Sequence, residues 1–466
     1  MTAASATPRR AFAVWWTELE RWSVSAFRAP SWKWPREQIK PLSFALERRH
    51  EPVNRKTFEL RPEHFLSLRF TGEIETRDLH GKTNFKGGLF HAHAGDLLYS
   101  KIDVRNGAIG IVPDAMPIAA VTSEFPVYRI RPEAALSEYV QLVFRTANFR
   151  GIINGMVSGA SGRKRVQPDD LERVEIPLPP LAEQAAIVAR WREAQTQLIA
   201  AQKRITAMEA RLPGIVYGEL GTPPPLADKP GGKCFALSWK ELERWSFNYL
   251  SRARQGLLGF AVSKFPIVPL GEHLIETMNG YCIKPVAGPT PHKMLKLNAL
   301  AAAGLDLTKS KFIKIPDKIA ERFSIRKGDL FICRSVGSYD HVAKCALAKE
   351  DAPSFVFPDT IIRARLKDSL LSEYVGEVIQ TPLGRAFFQS NARTAVGMWK
   401  IGAEDIATFP IPLPPVPVQR EIMARVQKGR AEIAREREAA ARLAREITAE
   451  IEAHILGTRD LPASSN

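Results

Sequence analysis

The residues best suited to recognition chemistry are cations in two glycine-containing segments. Arg163, Lys164 and Arg165 stand together in "SGASGRKRV" (158–166). Such side chains contact phosphate oxygens, and an arginine can also bind guanine through two hydrogen bonds. A corresponding segment, "ARTAVGMWKIG" (392–402), carries Arg393, Trp399 and Lys400. Both segments predict contact with a polyanion.

Two further segments offer polar side chains at matching positions. The first, "YSKIDVRNGAIG" (99–110), is predicted to be a hairpin that presents Lys101, Arg105 and Asn106. The second, "CRSVGSYDH" (333–341), presents Arg334, Ser335, Ser338, Tyr339 and His341. Paired segments that match in position but differ in side chains are expected if each half of the chain recognises a different short sequence. For any one residue, a solvated surface charge is an equally good interpretation.

The overall charge agrees with a polyanionic partner. Lys and Arg number 66 against 50 Asp and Glu, which gives a net charge of +16 at pH 7. Nucleic acid is the commonest partner for such a chain. A basic surface that serves solubility alone is the alternative.

Common catalytic and metal-binding motifs are missing from the sequence. "GMVSGASGRKR" (155–165) lacks the spacing of a phosphate-binding loop, and there is no G-x-S-x-G or H-E-x-x-H. There is also no N-P-P-Y/F motif of the kind that a DNA adenine methyltransferase needs. His91 and His93 have no third metal ligand at a workable spacing. We therefore expect no catalytic site and no metal site in this chain.

The compartment follows from the cysteines and the hydropathy pattern. Four cysteines without C-x-x-C spacing argue against a disulfide framework or a zinc site. The first residues show no apolar signal-peptide run, and no stretch approaches about 18 apolar residues. The expectation is a cytoplasmic protein that does not contact membranes.

The second half of the chain repeats the first. "IPLPP" begins at Ile176 and again at Ile411. "SEYV" begins at Ser137 and at Ser372, which is the same offset, and "GDL" begins at Gly95 and at Gly328, which is a slightly smaller one. A constant order with nearly constant spacing indicates two copies of one domain-plus-helix unit.

Each copy predicts an α+β fold with a mainly antiparallel sheet. The strand-like runs are "GDLLYSKI", "GAIGIVP" and "EFPVYRI" in the first copy and "GDLFICRS", "AKCALAK" and "DTIIRARL" in the second. A single short helix is expected after them, from "LSEYVQLVFRTANF" and "LSEYVGEVIQTPLGRAFF". "IPLPP" is then an extended lead-in, because a residue before proline avoids the helical region and Pro180 and Pro415 suit a helix start.

A long helix is predicted after each "IPLPP". The first, over 181–212 and ending at "LPG", has a heptad seam: Ile187, Trp191, Ala194, Leu198, Ala201, Ile205, Met208 and Leu212. The second, over about 417–456, has a less regular stripe: Ile422, Val426, Ile433, Ala440, Leu443, Ile447 and Ile451. Gly429 and Glu436 interrupt that stripe.

Each apolar stripe is narrow, so the two helices are expected to pack on each other. An antiparallel pair within the chain is favoured by effective concentration and would give a rough two-fold arrangement of the domains, forming an antiparallel coiled coil. Homodimerisation through each helix is the alternative.

Together these motifs resemble the specificity subunit of type I restriction–modification systems, from about residue 15 to 458. The resemblance rests on "SGASGRKRVQPDDLERVEIPLPPLAEQAAI" and its copy "VGMWKIGAEDIATFPIPLPPVPVQREI". Its most specific element is "IPLPP" followed by Glu-Gln ahead of a long helix. The first copy has Glu183-Gln184, and the second departs from the pattern with Gln419-Arg420.

The resemblance implies a domain organisation. It places a first target recognition domain at 1–175, a first spacer helix at 176–215, a second recognition domain at 216–410, a second spacer helix at 411–458 and a tail at 459–466.

The resemblance also implies a role in phage defence. Each recognition domain would bind one half of a split site in double-stranded DNA, and the helices would set the gap. The chain would dock two methyltransferase subunits and the motor–nuclease restriction subunits, which would bind S-adenosylmethionine, ATP and magnesium. Two alternatives stay open: a fused restriction–methylation enzyme, and a coiled-coil scaffold or DNA-binding adaptor of another phage-defence methyltransferase system.

Overall fold

Two units make up the chain, and each contains part of both long helices. The computed structural model describes residues 32–77, 87–156, 165–225, 260–301, 304–395 and 397–459. Unit 1 comprises Met1–Ala201 and Ala439–Asn466, and unit 2 comprises Gln202–Glu438.

Short strands account for most of the regular structure in both units. In the described part of unit 1 the strands are β1 (Ile39–Pro41), β2 (Leu46–Arg49), β3 (Leu66–Leu68), β4 (Ile74–Thr76), β5 (Leu89–His93), β6 (Leu97–Tyr99), β7 (Ile109–Ile111), β8 (Ile118–Thr122), β9 (Val127–Ile130) and β10 (Glu175–Pro177). In the described part of unit 2 they are β11 (Ile267–Pro269), β12 (Leu274–Asn279), β13 (His292–Leu295), β14 (Leu300–Ala301), β15 (Gly304–Leu305), β16 (Ser310–Ile313), β17 (Leu330–Cys333), β18 (Ser335–Val336), β19 (Cys345–Leu347), β20 (Phe355–Val356), β21 (Ile361–Leu366), β22 (Arg393–Ala395), β23 (Met398–Lys400) and β24 (Pro410–Pro412).

Two long helices accompany several short ones. The α-helices of the described ranges are α1 (Leu42–Ala45), α2 (Ser137–Arg145), α3 (Ala147–Met156), α4 (Pro168–Glu172), α5 (Leu181–Leu220), α6 (Asp317–Arg322), α7 (Ser372–Gln380), α8 (Pro382–Asn391), α9 (Ala403–Ala407) and α10 (Val416–Leu456).

A four-stranded antiparallel sheet forms the centre of each unit. Its order is β2-β9-β6-β7 in unit 1 and β12-β21-β17-β19 in unit 2. The predicted strand runs fall on β6, β7 and β9 and on β17, β19 and β21. Parallel pairing joins β13 to β20, whereas the other paired strands described are antiparallel. The prediction of two similar, mainly antiparallel α+β domains is therefore confirmed.

The single helix expected after each sheet is in fact two helices. Thr146 separates α2 from α3, and Thr381 separates α7 from α8. Each threonine hydroxyl donates to a carbonyl three residues earlier at 2.7 Å and accepts from an amide three residues later at 3.2 Å. Such a hydroxyl satisfies backbone groups at a helix start, which explains why the helix restarts there.

"IPLPP" forms half of a small sheet as well as leading into a helix. β10 pairs with β1, and β24 pairs with β11. Ile176 and Ile411 are fully buried in these pairs. The buried Tyr139 hydroxyl donates to the Pro177 carbonyl at 3.1 Å, and the Tyr374 hydroxyl donates to the Pro412 carbonyl at 2.9 Å. The lead-in is thus fixed to its own domain by strand pairing and a tyrosine.

A buried glutamine fixes the first turn of each long helix. Gln184 donates to the carbonyls of Pro179 and Ala134 at 2.8 and 3.1 Å and accepts from the Leu136 amide at 2.9 Å. In unit 2, Gln419 donates to Pro414 and Ser369 at 2.8 and 2.9 Å, and its Oε1 accepts from the Leu371 amide at 2.9 Å. The two glutamines occupy matched positions of the sequence repeat, and the second copy retains the same contacts at its helix start.

The predicted end of the first long helix was wrong. α5 contains Pro213 and continues to Leu220, which gives a length of about 60 Å at 1.5 Å per residue. A proline inside a helix costs about 3 kcal/mol, since a hydrogen bond is lost. Val216, Tyr217 and Leu220 lie buried in the core of unit 2. Burying such side chains contributes about 1.5–3 kcal/mol each, and this outweighs the cost of the proline.

The two long helices pack antiparallel within each unit. In unit 1, Ile187 and Ala194 share a core with Ile447 and Ile451, and Arg190 Nε donates to Glu450 at 2.8 Å.

Charged pairs define the helix direction in unit 2. Arg204 binds Glu436 at 2.7 Å, Glu209 pairs with Arg437, and Glu219 binds Arg425 at 2.7 Å. From Arg204 to Glu219 the α5 numbers rise, while the α10 partner changes from Glu436 to the earlier Arg425, as in an antiparallel pair. The predicted seam is buried or half-buried along both helices: Ile187, Trp191, Ala194, Leu198, Ala201, Ile205, Met208 and Leu212 on α5, and Ile422, Val426, Ile433, Ala440, Leu443, Ile447 and Ile451 on α10.

Candidate nucleic-acid interface

In unit 1, backbone hydrogen bonds bring two of the predicted cations together. Lys101 lies in the loop that joins β6 to β7, and the pairing of these strands confirms the predicted hairpin. Its amide donates to the Glu124 carbonyl at 3.0 Å, and its carbonyl accepts from the Val166 amide at 2.9 Å. Arg165 therefore lies beside Lys101, although the two residues are far apart in sequence.

Unit 2 has the same pair of backbone hydrogen bonds, which we call the frame, but with other side chains. The Arg334 amide donates to the Thr360 carbonyl at 2.8 Å, and the Arg334 carbonyl accepts from the Ile401 amide at 2.9 Å. Lys400 therefore lies beside Arg334. Lys101 and Arg334 occupy matched positions of the sequence repeat, and so do Arg165 and Lys400.

A three-stranded sheet assembles the remaining unit 2 candidates. β23 lies between β18 and β22, with Ser335 and Arg393 both in register with Lys400. Trp399 lies edge-on to Tyr339, with ring centroids 4.6 Å apart. The structure thus brings cations and an aromatic pair to one place, a combination suited to phosphate and base contacts.

The surroundings of the cations differ between the units. In unit 1, Nε and Nη2 of Arg165 donate to the two carboxylate oxygens of Glu124, both at 3.2 Å. In unit 2, Nη1 of Arg334 donates to the Asp359 carbonyl at 3.1 Å. The two sites therefore share a backbone arrangement and present different hydrogen-bond donors.

The other predicted residues vary in exposure. Asn106 is exposed and donates to Asp103 at 3.3 Å, Arg105 is half-buried, and Ser338 is exposed. Ser335 is only 6% exposed, so its hydroxyl position gives no support to a DNA contact. Arg163 and Lys164 lie outside the described residues.

Sequence reasoning did not identify Glu124 or Thr360. Both lie just before a central strand, β9 or β21, and approach the cations only through tertiary backbone bonds. One feature of the sequence could have identified them. Each residue lies just ahead of a strand, and the two strands occupy equivalent places in the two central sheets.

The described residues include no group of three or more His, Cys, Asp or Glu arranged to hold a metal ion. His93 Nε2 instead lies 3.0 Å from a Glu51 carboxylate oxygen, and burial lowers the pKa of His91.

Among the helices of the described part, none is long and apolar enough to cross a bilayer.

Comparison with known proteins agrees with this architecture. The chain is 26% identical over 301 residues to the type I restriction enzyme EcoKI specificity subunit of Escherichia coli (strain K12), covering 64% of this chain and 60% of that protein. It is 22% identical over 309 residues to the StySPI specificity subunit of Salmonella potsdam, with the same coverage. No protein-family model matches the chain.

A solved structure shows the same fold over most of its length. A chain from a structural study of complex assembly and conformational transition of the type I R-M system superimposes with a TM-score of 0.56 at 15% identity, covering 91% of this chain and 98% of that one.

The fold places the chain in the class of proteins that alternate two α+β domains with two long helices. Within this class, the chain is related to the specificity subunits of type I restriction enzymes. It spans about 60% of the length of these curated relatives.

Proposed function

We propose that this chain is the sequence-specific DNA recognition subunit of a type I restriction–modification complex. Each unit recognises one half of a bipartite site in double-stranded DNA. The observation that carries the proposal is the repeated frame that places Lys101 beside Arg165 and Arg334 beside Lys400. Two like frames with unlike side chains suit two different half-sites.

The net charge supports this role. An excess of 16 positive charges attracts DNA phosphates. The four cations held by the two frames, which we call the framed cations, supply contacts to the DNA at defined places: Lys101, Arg165, Arg334 and Lys400. Phosphate contacts fix the register of a protein on DNA, whereas contacts to base edges provide sequence discrimination. In unit 2 the surface beside these cations also carries side chains that can contact bases, namely Arg393, Tyr339 and Trp399.

The chain's part in the complex is non-catalytic. It docks two methyltransferase subunits and the motor–nuclease restriction subunits, and S-adenosylmethionine, ATP and magnesium belong to those partners. The helices set the spacing between the two half-sites. The names of the relatives, the fold match and the sequence motifs support this assignment.

Salt-dependent DNA binding tests the proposal. Alanine in place of Lys101, Arg165, Arg334 and Lys400 should weaken binding, and the slope of log affinity against log salt should become shallower by about 0.9 for each lost phosphate contact. Reversing the charge of Arg163, Lys164 and Arg165 should also weaken binding without unfolding the chain.

A matched control removes four exposed cations from α10: Arg420, Lys428, Arg435 and Arg445. This variant has the same net charge as the first and should keep most of the salt slope. Equal slopes for the wild type and both variants would show that the framed cations do not contact DNA.

A further inference from the structure

Among the residues that the structure describes, the Glu124–Arg165 pair leaves one edge of the guanidinium group without a partner. The carboxylate accepts from Nε and Nη2, which form one edge of the guanidinium group. One hydrogen of Nη1 and the second hydrogen of Nη2 form another edge. That edge matches the N7 and O6 acceptors of guanine in the major groove.

Both partners of the pair are held in place by the backbone. The Glu124 carbonyl accepts from Lys101, and Val166 donates to Lys101 at 2.9 Å. The Val166 carbonyl also accepts from the buried Tyr99 hydroxyl at 3.2 Å. The side chain of Arg165 therefore projects from a backbone segment that is held in place, and Glu124 restricts the direction of its guanidinium group.

Stability does not account for this pair. The side chains of Arg165 and Glu124 are 43% and 40% exposed, and exposed ion pairs contribute little to folding. A fixed guanidinium group, in contrast, loses less conformational entropy when it binds a base edge.

The equivalent place in unit 2 lacks this arrangement. Thr360 stands where Glu124 stands, as the shared backbone bonds show, and Lys400 replaces Arg165. A lysine is a compact charge that cannot offer two parallel donors in a planar fork. The two units therefore differ in the chemistry at one matched position.

We propose that Glu124 is a positioning residue that holds Arg165 for two-bond recognition of guanine in the half-site bound by unit 1. This inference rests on the proposed function. It predicts one guanine in that half-site that depends on both side chains.

The experiment selects a randomised double-stranded DNA library with the full 466-residue chain and sequences the bound fraction. Glu124→Gln should lower guanine enrichment about 10-fold at one base pair of one half-site, within the range for loss of a two-bond contact. Arg165→Lys should lower enrichment at the same base pair. The double variant should lose no more than Arg165→Lys alone, because the two residues act as one unit.

Glu133→Gln is the matched control, since Glu133 is exposed in the same unit and its substitution removes the same charge. Its base preferences should equal those of the wild type, and all variants should keep the wild-type Tm. Unchanged guanine preference in Glu124→Gln, or an equal loss at every position of both half-sites, would overturn the role of Glu124. Neither outcome would overturn the proposed function. A wild-type chain that enriches no sequence would overturn the proposed function as well.

Discussion

Gly429 leaves the space that the Leu212 side chain occupies between the two helices of unit 2. A Cβ built on Gly429 would lie 2.8 Å from Leu212 Cδ2. This contact explains why a glycine interrupts the apolar stripe of α10. The second interruption, Glu436, has another cause, because its carboxylate binds Arg204 of α5 at 2.7 Å.

A size exchange tests the packing of Gly429. Gly429→Leu should destabilise the chain by about 1–3 kcal/mol, since the larger side chain displaces Leu212. Adding Leu212→Ala should recover more than half of that loss, as measured by denaturant unfolding. Simple addition of the two single effects would contradict the contact.

The buried glutamines should contribute similarly in both units. Gln184→Ala and Gln419→Ala should each lower the free energy of unfolding by about 1–3 kcal/mol, because each change leaves buried backbone groups without partners. Gln202→Ala, at an exposed position of α5, is the control and should change little. A loss in only one of the two glutamine variants would show that the two helix starts are not equivalent.

The Arg190–Glu450 pair predicts a loss of stability in acid. The hydrogen bond from Arg190 lowers the pKa of Glu450 below its ordinary value of 4.5. Because the folded-state pKa is the lower one, the stabilisation is complete above pH 4.5 and is lost as the pH falls through the folded value. Glu450→Gln should therefore reduce the fall in Tm between pH 6 and roughly pH 3.

Glu446→Gln is the control for this pH series. Glu446 is exposed on α10 and lies at 4.0 Å from Arg442. Its replacement should leave the acid dependence of Tm close to that of the wild type. If both variants behaved alike, the Arg190–Glu450 pair would not be the source of the effect.

Matched helix insertions test the spacing role. Seven residues inserted after Ala194 and seven after Arg445 keep the heptad seam of both helices. If the helices set the gap, the recognised site should keep both half-sites and gain spacer base pairs, as read from DNA methylation by long-read sequencing with the methyltransferase partner present. An insertion in α5 alone should destabilise the chain, since the seam residues beyond it lose register. An unchanged spacer in the matched variant would refute the role.

The local patterns of the sequence predicted much of the fold. Short runs of β-branched and aromatic residues bounded by turn residues marked β6, β7 and β9 and their copies, because strands favour the first group and turns favour the second. The seam of α5 identified its buried face from Ile187 to Leu212, since residues three and four apart share one side of a helix. The repeat indicated two like units.

Tertiary structure decided where local signals conflicted. Pro213 is a reliable local stop signal, but the core of unit 2 buries Val216, Tyr217 and Leu220 and extends α5 past it. The break at Thr146 depends on hydrogen bonds that a threonine can make in many settings, so its sequence signal was weak.

The candidate site shows the same division. The sequence by itself determined which cations were available, including Lys101, Arg165 and Lys400, because charge and repeat position are local properties. Only the tertiary structure placed Arg165 beside Lys101 and Glu124, since those contacts join segments that are distant in the chain. Hydrogen bonds of this kind depend on backbone positions set by the whole sheet, and spacing along the sequence does not specify them.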